Sequence, residues 1–166
     1  MIVISDTSAL SFLAELGELD LLRRLYGTVT ITATVLLEAS HHSAPIALRQ
    51  FVSITRDWFV VLPDVQPYLE ETKALDDGEA SAITLAWQHR GTSLLIMDEK
   101  RGRRISAAFD LPVTGVAGVL ADAAAIGLID FEDAFQRLSR TGFRLGLAVV
   151  EVLRRKHHSR RTSVHE

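Results

Sequence analysis

Apolar residues recur along this chain in two alternating rhythms. Short unbroken runs read as strands: Ile2–Ser5, 29–31, Phe59–Leu62, 94–97 and 111–114. Between them, apolar residues fall near helical spacing. Leu10, Leu13, Leu16, Leu21, Leu22 and Leu25 predict one helix over residues 9–25, closed by Gly27. Val35 and Leu36 mark the inner side of a helix over 34–42, and residues 45–53 add another turn or two. Residues 67–75 read as a helix. A longer one opens at Asp76 and runs to about His89, with Ala82, Ile83, Leu85 and Ala86 on its buried side. Helices follow over 102–109, 118–125, 131–139 and 145–155, the last weakened by β-branched Val149 and Val150.

Alternating strands and helices imply a parallel sheet with helices on both faces. The continuous apolar strands agree, because parallel strands are buried on both sides. The expected fold is α/β: one three-layer α/β/α sandwich over residues 1–155 with a central, mainly parallel sheet. A flexible basic tail, 156–166, follows it. A chain of 166 residues suits one domain and buries roughly 70% of its unfolded surface, so the core needs no disulfide or structural metal.

The chemistry sits where strands end. Asp6 follows the first strand and Asp98 the strand over 94–97. If these strands are parallel neighbours, both carboxylates emerge at one edge of the sheet, where α/β folds bind ligands. Glu38 lies on the helix after the second strand, and Glu79 in the first turn of a later helix. Four carboxylates converging from distant segments would repel one another unless a cation offsets them. Hard oxygen donors suit Mg²⁺ or Mn²⁺, which can activate a water against a phosphodiester. Each acid also has a plain structural use. Asp6 and Asp98 could cap the helices that follow them, Asp76 and Glu79 form a capping-box-like Asp-x-x-Glu, and Glu38 could be a solvated helix residue. Asp76 reads as a cap, and Asp77 and Glu99 as solvated neighbours.

Composition removes several classes. With no cysteine, disulfides, thiolate zinc sites and cysteine nucleophiles are excluded, which fits a cytoplasmic location. No signal peptide is expected, and no apolar run approaches the ~20 residues that span a bilayer. The histidines lack ligand spacing, so zinc is rejected, and there is no phosphate-binding glycine loop or nucleophile elbow. The net charge of −3 gives no general drive toward nucleic acid, but Arg101, Arg103 and Arg104 cluster just after Asp98.

Four stretches together resemble the PIN-domain nucleases, in particular a prokaryotic PIN-like subfamily. They are Val3-Ile4-Ser5-Asp6-Thr7-Ser8-Ala9-Leu10, Thr34-Val35-Leu36-Leu37-Glu38, Leu75-Asp76-Asp77-Gly78-Glu79-Ala80, and Leu94-Leu95-Ile96-Met97-Asp98 with its Gly102-Arg103-Arg104 sequel. The match continues through Pro112–Leu120 to Gly127-Leu128-Ile129. The resemblance implies an α/β/α sandwich and Mg²⁺- or Mn²⁺-dependent RNA cleavage. It also implies a toxin paired with an antitoxin protein, and a homodimer. Asp6, Glu38 and Asp98 carry over onto its metal-binding positions, and Glu79 stands where many relatives place Asp. Ser8 would orient a water or touch phosphate, and Arg103 and Arg104 would hold the RNA backbone. The alternative is a catalytically degenerate PIN-like module that binds RNA or protein without cutting. A phosphatase with Asp6 as nucleophile ranks last, because its second Asp would fall at Ser8.

Overall fold

A computed structural model describes residues 1–163. Five strands, β1 (Ile2–Ser5), β2 (Val29–Thr32), β3 (Phe59–Leu62), β4 (Ser93–Ile96) and β5 (Val113–Thr114), pair in parallel in the order β3-β2-β1-β4-β5. The central strand β1 pairs with β4 along its whole length, from Ile2 opposite Ser93 to Ser5 opposite Ile96. The chain adds β2 on one side of β1 and β4 on the other. That reversal makes the β1–β4 boundary a topological switch point, and ligands bind outside the strand C-termini at such points.

Helices cover both faces, as the apolar strands require. Val3, Ile31 and Ile96 pack into one core with α1 (Thr7–Glu15), α2 (Asp20–Tyr26), α3 (Ala33–Ser40), α4 (Ile46–Val52) and α7 (Val116–Ala125). Ile4, Leu95 and Met97 point the opposite way, against Ile83 and Leu85 of α5 (Asp77–Gln88) and Ile105 of α6 (Lys100–Ala108). Leu10 and Leu13 of α1 are fully buried, and truncating either to Ala would cost about 2–5 kcal/mol. The chain closes with α8 (Phe131–Ser139) and α9 (Leu147–Ser163).

Three helices differ from expectation. The single helix over 9–25 is two, broken at Gly17. Its φ of +71° lets Gly17 N–H reach Ala14 O while Glu18 N–H reaches Leu13 O, the paired bonds of a Schellman ending. The leucine rhythm hides this break because it resumes beyond the turn. Residues 67–75 form only one 3₁₀ turn, Glu70–Thr72, because the backbone at Leu69 is non-helical (φ −56°, ψ 136°), with its N–H held by the Thr84 hydroxyl on α5 at 3.1 Å. At the C-terminus, α9 runs past the expected end at 155 to Ser163. Val150, Leu153 and His157 share one side of it, and the His157 ring stacks on Phe131 at 5.0 Å. Residues 164–166 of the expected tail lie outside the described residues. No helix among the described residues is long and apolar enough to cross a membrane.

Candidate active site

Asp6 leaves β1 with its N–H bonded to Ile96 O at 3.2 Å, so the sheet itself fixes its position beside β4. One carboxylate oxygen caps α1 by accepting Ala9 N–H at 3.0 Å. The capping role open to Asp6 in the sequence is therefore real, but it occupies only half the group. The residue is 1% exposed, and its other oxygen, Oδ2, is buried with no hydrogen-bond partner. Burial pushes the carboxyl pKa up to about 8. Ala9 N–H opposes the rise, and the charges of Asp98, Glu79 and Asp76 add to it.

Asp98 stands one residue beyond Met97, next to Asp6 across the β1–β4 boundary. It does not cap α6; Glu99 does, accepting Gly102 N–H at 2.6 Å. Instead the Asp98 carboxylate reaches the start of α7, where Val116 N–H lies 3.1 Å from Oδ2 and 3.3 Å from Oδ1. Burial raises its pKa against the pull of Val116 N–H and the Arg103 charge. A Cβ at Gly115 would collide with the Asp98 carboxylate, so the glycine lets α7 begin this close.

Glu38 and Glu79 approach from α3 and α5. The Glu38 carboxylate accepts the Thr7 hydroxyl, which holds it toward the start of α1. It also lies over Gly78, where any Cβ would overlap it. Burial pushes its pKa up, Thr7 and Gly78 N–H lower it, and the charges of Asp76 and Asp77 raise it. Glu79 is 7% exposed, and burial with the charges of Asp76 and Glu99 lifts its pKa to about 7. Asp76 caps α5 through Glu79 N–H at 2.9 Å, as its spacing suggests. Its charge nevertheless acts on Asp6, Glu38 and Glu79, an electrostatic role that a capping pattern does not reveal. Thr7 was likewise out of reach of the sequence as a partner of Glu38, which is 31 positions away.

Burial thus raises the pKa of all four acids, and at Asp6 and Glu79 the charge of other members of the set adds to it, yet the four are not gathered around one point. Among the described residues, no group of three or more His, Asp or Glu side chains is placed to hold an ion. Ser8 is exposed and lines a cleft of about 570 Å³ together with Asp98 and Arg103. Arg103 reaches Met97 O at 3.4 Å. Arg104 is exposed on α6 and does not line that cleft. A larger cleft of about 1120 Å³ lies between α8 and the start of α9, and none of the four acids lines it.

A family model described as DUF3368: PIN domain matches residues 2–159, nearly the whole chain. The chain belongs to the PIN-domain family. The parallel five-stranded sheet between helical layers is the sandwich expected of a PIN domain, and it is a nuclease-type fold. PIN domains generally use divalent metal ions. No curated protein and no solved structure matches the chain significantly.

Proposed function

We propose that this PIN domain is a metal-dependent endoribonuclease, the cytoplasmic toxin of a toxin–antitoxin pair, acting as a homodimer. Asp6, Glu38, Glu79 and Asp98 would hold Mg²⁺ or Mn²⁺. The observation that carries the reading is Asp6 Oδ2: a buried oxygen of a carboxylate, without a partner, at the switch point of the sheet. Buried polar groups are nearly always bonded, so such an exception calls for an explanation. The donors fit a hard divalent cation, because every candidate is a carboxylate oxygen and no thiolate exists in the chain. A cation there would also offset the burial of charge that raises all four pKa values, and the acidic neighbours that add to it at Asp6, Glu38 and Glu79.

When bound, a divalent cation supplies an activated water and neutralises charge on the phosphorus oxygens. The chain's own groups do the rest. Burial of Asp6 excludes bulk water from its free oxygen. Its bond to Ala9 N–H fixes the rotation of the carboxylate. Thr7 and Gly78 set the place of Glu38. Ser8 and Arg103, on the cleft beside Asp98, would contact the RNA backbone, with Arg104 further along α6.

The test is incubation with varied RNAs in Mn²⁺ or Mg²⁺. Cleavage is expected with the metal and not with EDTA, and it should vanish in Asp6→Asn. Equal cleavage in every sample means contamination and sinks the proposal. A second reading, a degenerate module that binds RNA or protein without cutting, is favoured by one observation. Glu38 and Asp98 are already engaged by Thr7 and Val116. Calorimetry separates the two: RNA binding without any Mn²⁺ binding supports the module.

A further inference from the structure

The cleft beside Asp98 has two chemical halves. Ser8, Asp98, Glu99 and Arg103 form the polar part, next to the acids. The other end is built from Phe12, Val149 and Leu153 together with the segment that joins α8 to α9, which brings Phe143, Arg144 and Leu145. Phe12 and Phe143 meet edge to face with ring centroids 5.0 Å apart, which makes a stiff aromatic wall. A volume of about 570 Å³ falls within the roughly 300–1,000 Å³ of ordinary ligand pockets.

We propose that this cleft is a base-binding subsite, which seats the nucleobase flanking the phosphate cleaved at the acid edge. The inference rests on the ribonuclease reading and adds to it a place for the substrate's base. A nucleotide has the same two halves as the cleft, an anionic phosphate and a flat base with apolar faces. Aromatic and apolar side chains stack on bases with a modest preference set by stacking strength, while arginine receives phosphate. Arg144 is exposed and forms no ion pair with a described residue, and Arg103 already faces the acid edge. The cleft between α8 and α9 is larger and shares Phe143, Arg144 and Leu145 with this one, but there Asp130, Glu132 and Asp133 outnumber Arg144 and Arg154, whereas here Arg103 and Arg144 balance Asp98 and Glu99. Size alone would select that cleft; charge and adjacency to Asp98 select the smaller one.

The experiment digests a random-sequence RNA pool with the full-length protein in Mn²⁺ and sequences the new ends. Wild type should show a base preference at one position beside the cut. Phe143→Ala should flatten that preference and raise KM on the order of tenfold, with folding checked by circular dichroism. If that variant does not fold, Phe143→Leu keeps the apolar volume without the ring and carries the same test. Arg144→Ala should raise KM and leave the base preference in place, since it would touch phosphate. Cleavage by a folded Phe143 variant with the wild-type preference overturns the subsite and leaves the nuclease standing. Wild-type cleavage with no preference at any position overturns the subsite in the same way. If wild type cuts no RNA, both proposals fall. If a peptide rich in acidic and aromatic residues blocks the cleft while RNA binding ignores Phe143 and Arg144, the cleft is a protein site and the subsite is overturned.

Discussion

Asp6 and Asp64 both stand at the C-terminal edge of the sheet, one just beyond β1 and the other just beyond β3, yet their surroundings are opposite. Asp64 is fully engaged. It accepts Thr34 N–H at 3.0 Å and the hydroxyls of Thr34 and Tyr68. Burial alone would raise its pKa, but these bonds outweigh it and hold the carboxyl below the usual range. Asp6 has one bonded oxygen and one bare one, and burial drives its pKa up to about 8. The same residue type at the same edge is thus a structural clamp in one place and a buried, half-satisfied carboxyl in the other. Position at the edge marks candidates; hydrogen-bond satisfaction separates them.

Cleavage should show the largest contrast. Asp6→Asn is expected to lose at least about a hundredfold in kcat/KM, whereas Asp64→Asn stays within about threefold of wild type. Equal losses in the two variants would erase the distinction. Next comes Gly78→Ala. Alanine favours a helix over glycine by up to about 1 kcal/mol, so stability should hold or rise. Its methyl group would displace the Glu38 carboxylate, however, and cleavage should fall on the order of tenfold. A stable variant with full activity would show that Glu38 is not needed where it stands.

Stability against pH sharpens the comparison without any substrate. In EDTA, the raised pKa of Asp6 means that the folded state binds its proton more tightly than the unfolded state does. That contribution is complete below about pH 4 and is lost as pH rises to about 8. Glu79, with its pKa at about 7, acts in the same sense. Asp64 has the opposite sign: its contribution is present above the ordinary carboxylate pKa and is lost as pH falls below it. Melting temperature in EDTA should therefore decline from pH 4 to pH 8. Asp6→Asn should flatten that decline and melt several degrees higher at pH 8. A profile that rises through this window would contradict the burial of Asp6 as a charge. The smallest effect is expected from Tyr68→Phe, which removes one of the bonds to Asp64 and costs about 1 kcal/mol with cleavage unchanged. Thermal melting and a single kinetic assay check both halves.

Much of this edge was legible in the chain. The apolar runs before Asp6 and Asp98 fix two strands, and parallel pairing of such strands places both acids together. Asp76 reads correctly as the cap of α5. What escaped depends on contacts across long separations. The Asp64–Thr34–Tyr68 clamp forms because β2 and β3 pair from Val29 opposite Phe59 to Thr32 opposite Leu62, which brings the start of α3 to the end of β3. Nothing local to Asp64 announces this. Glu99 takes the place of Asp98 as the cap of α6 because Asp98 turns to Val116, a partner available only once α7 has packed. The break at Gly17 is hidden for a different reason: one glycine within a leucine rhythm does not show which φ it will adopt. Arg104 illustrates the limit of a charge cluster, since three arginines close in sequence need not face one cleft.

The pairing of β1 with β4 also has a consequence for synthesis. A ribosome releases β1, β2 and β3 well before β4, and domains emerge N-terminal first. Until β4 docks, Asp6 has neither its bond to Ile96 nor Asp98 beside it. A truncated or still-growing chain therefore carries an open sheet edge and an incomplete set of acids. If the protein cuts RNA, its early nascent chain cannot, because the strand that completes the site leaves the ribosome only after the three that precede it.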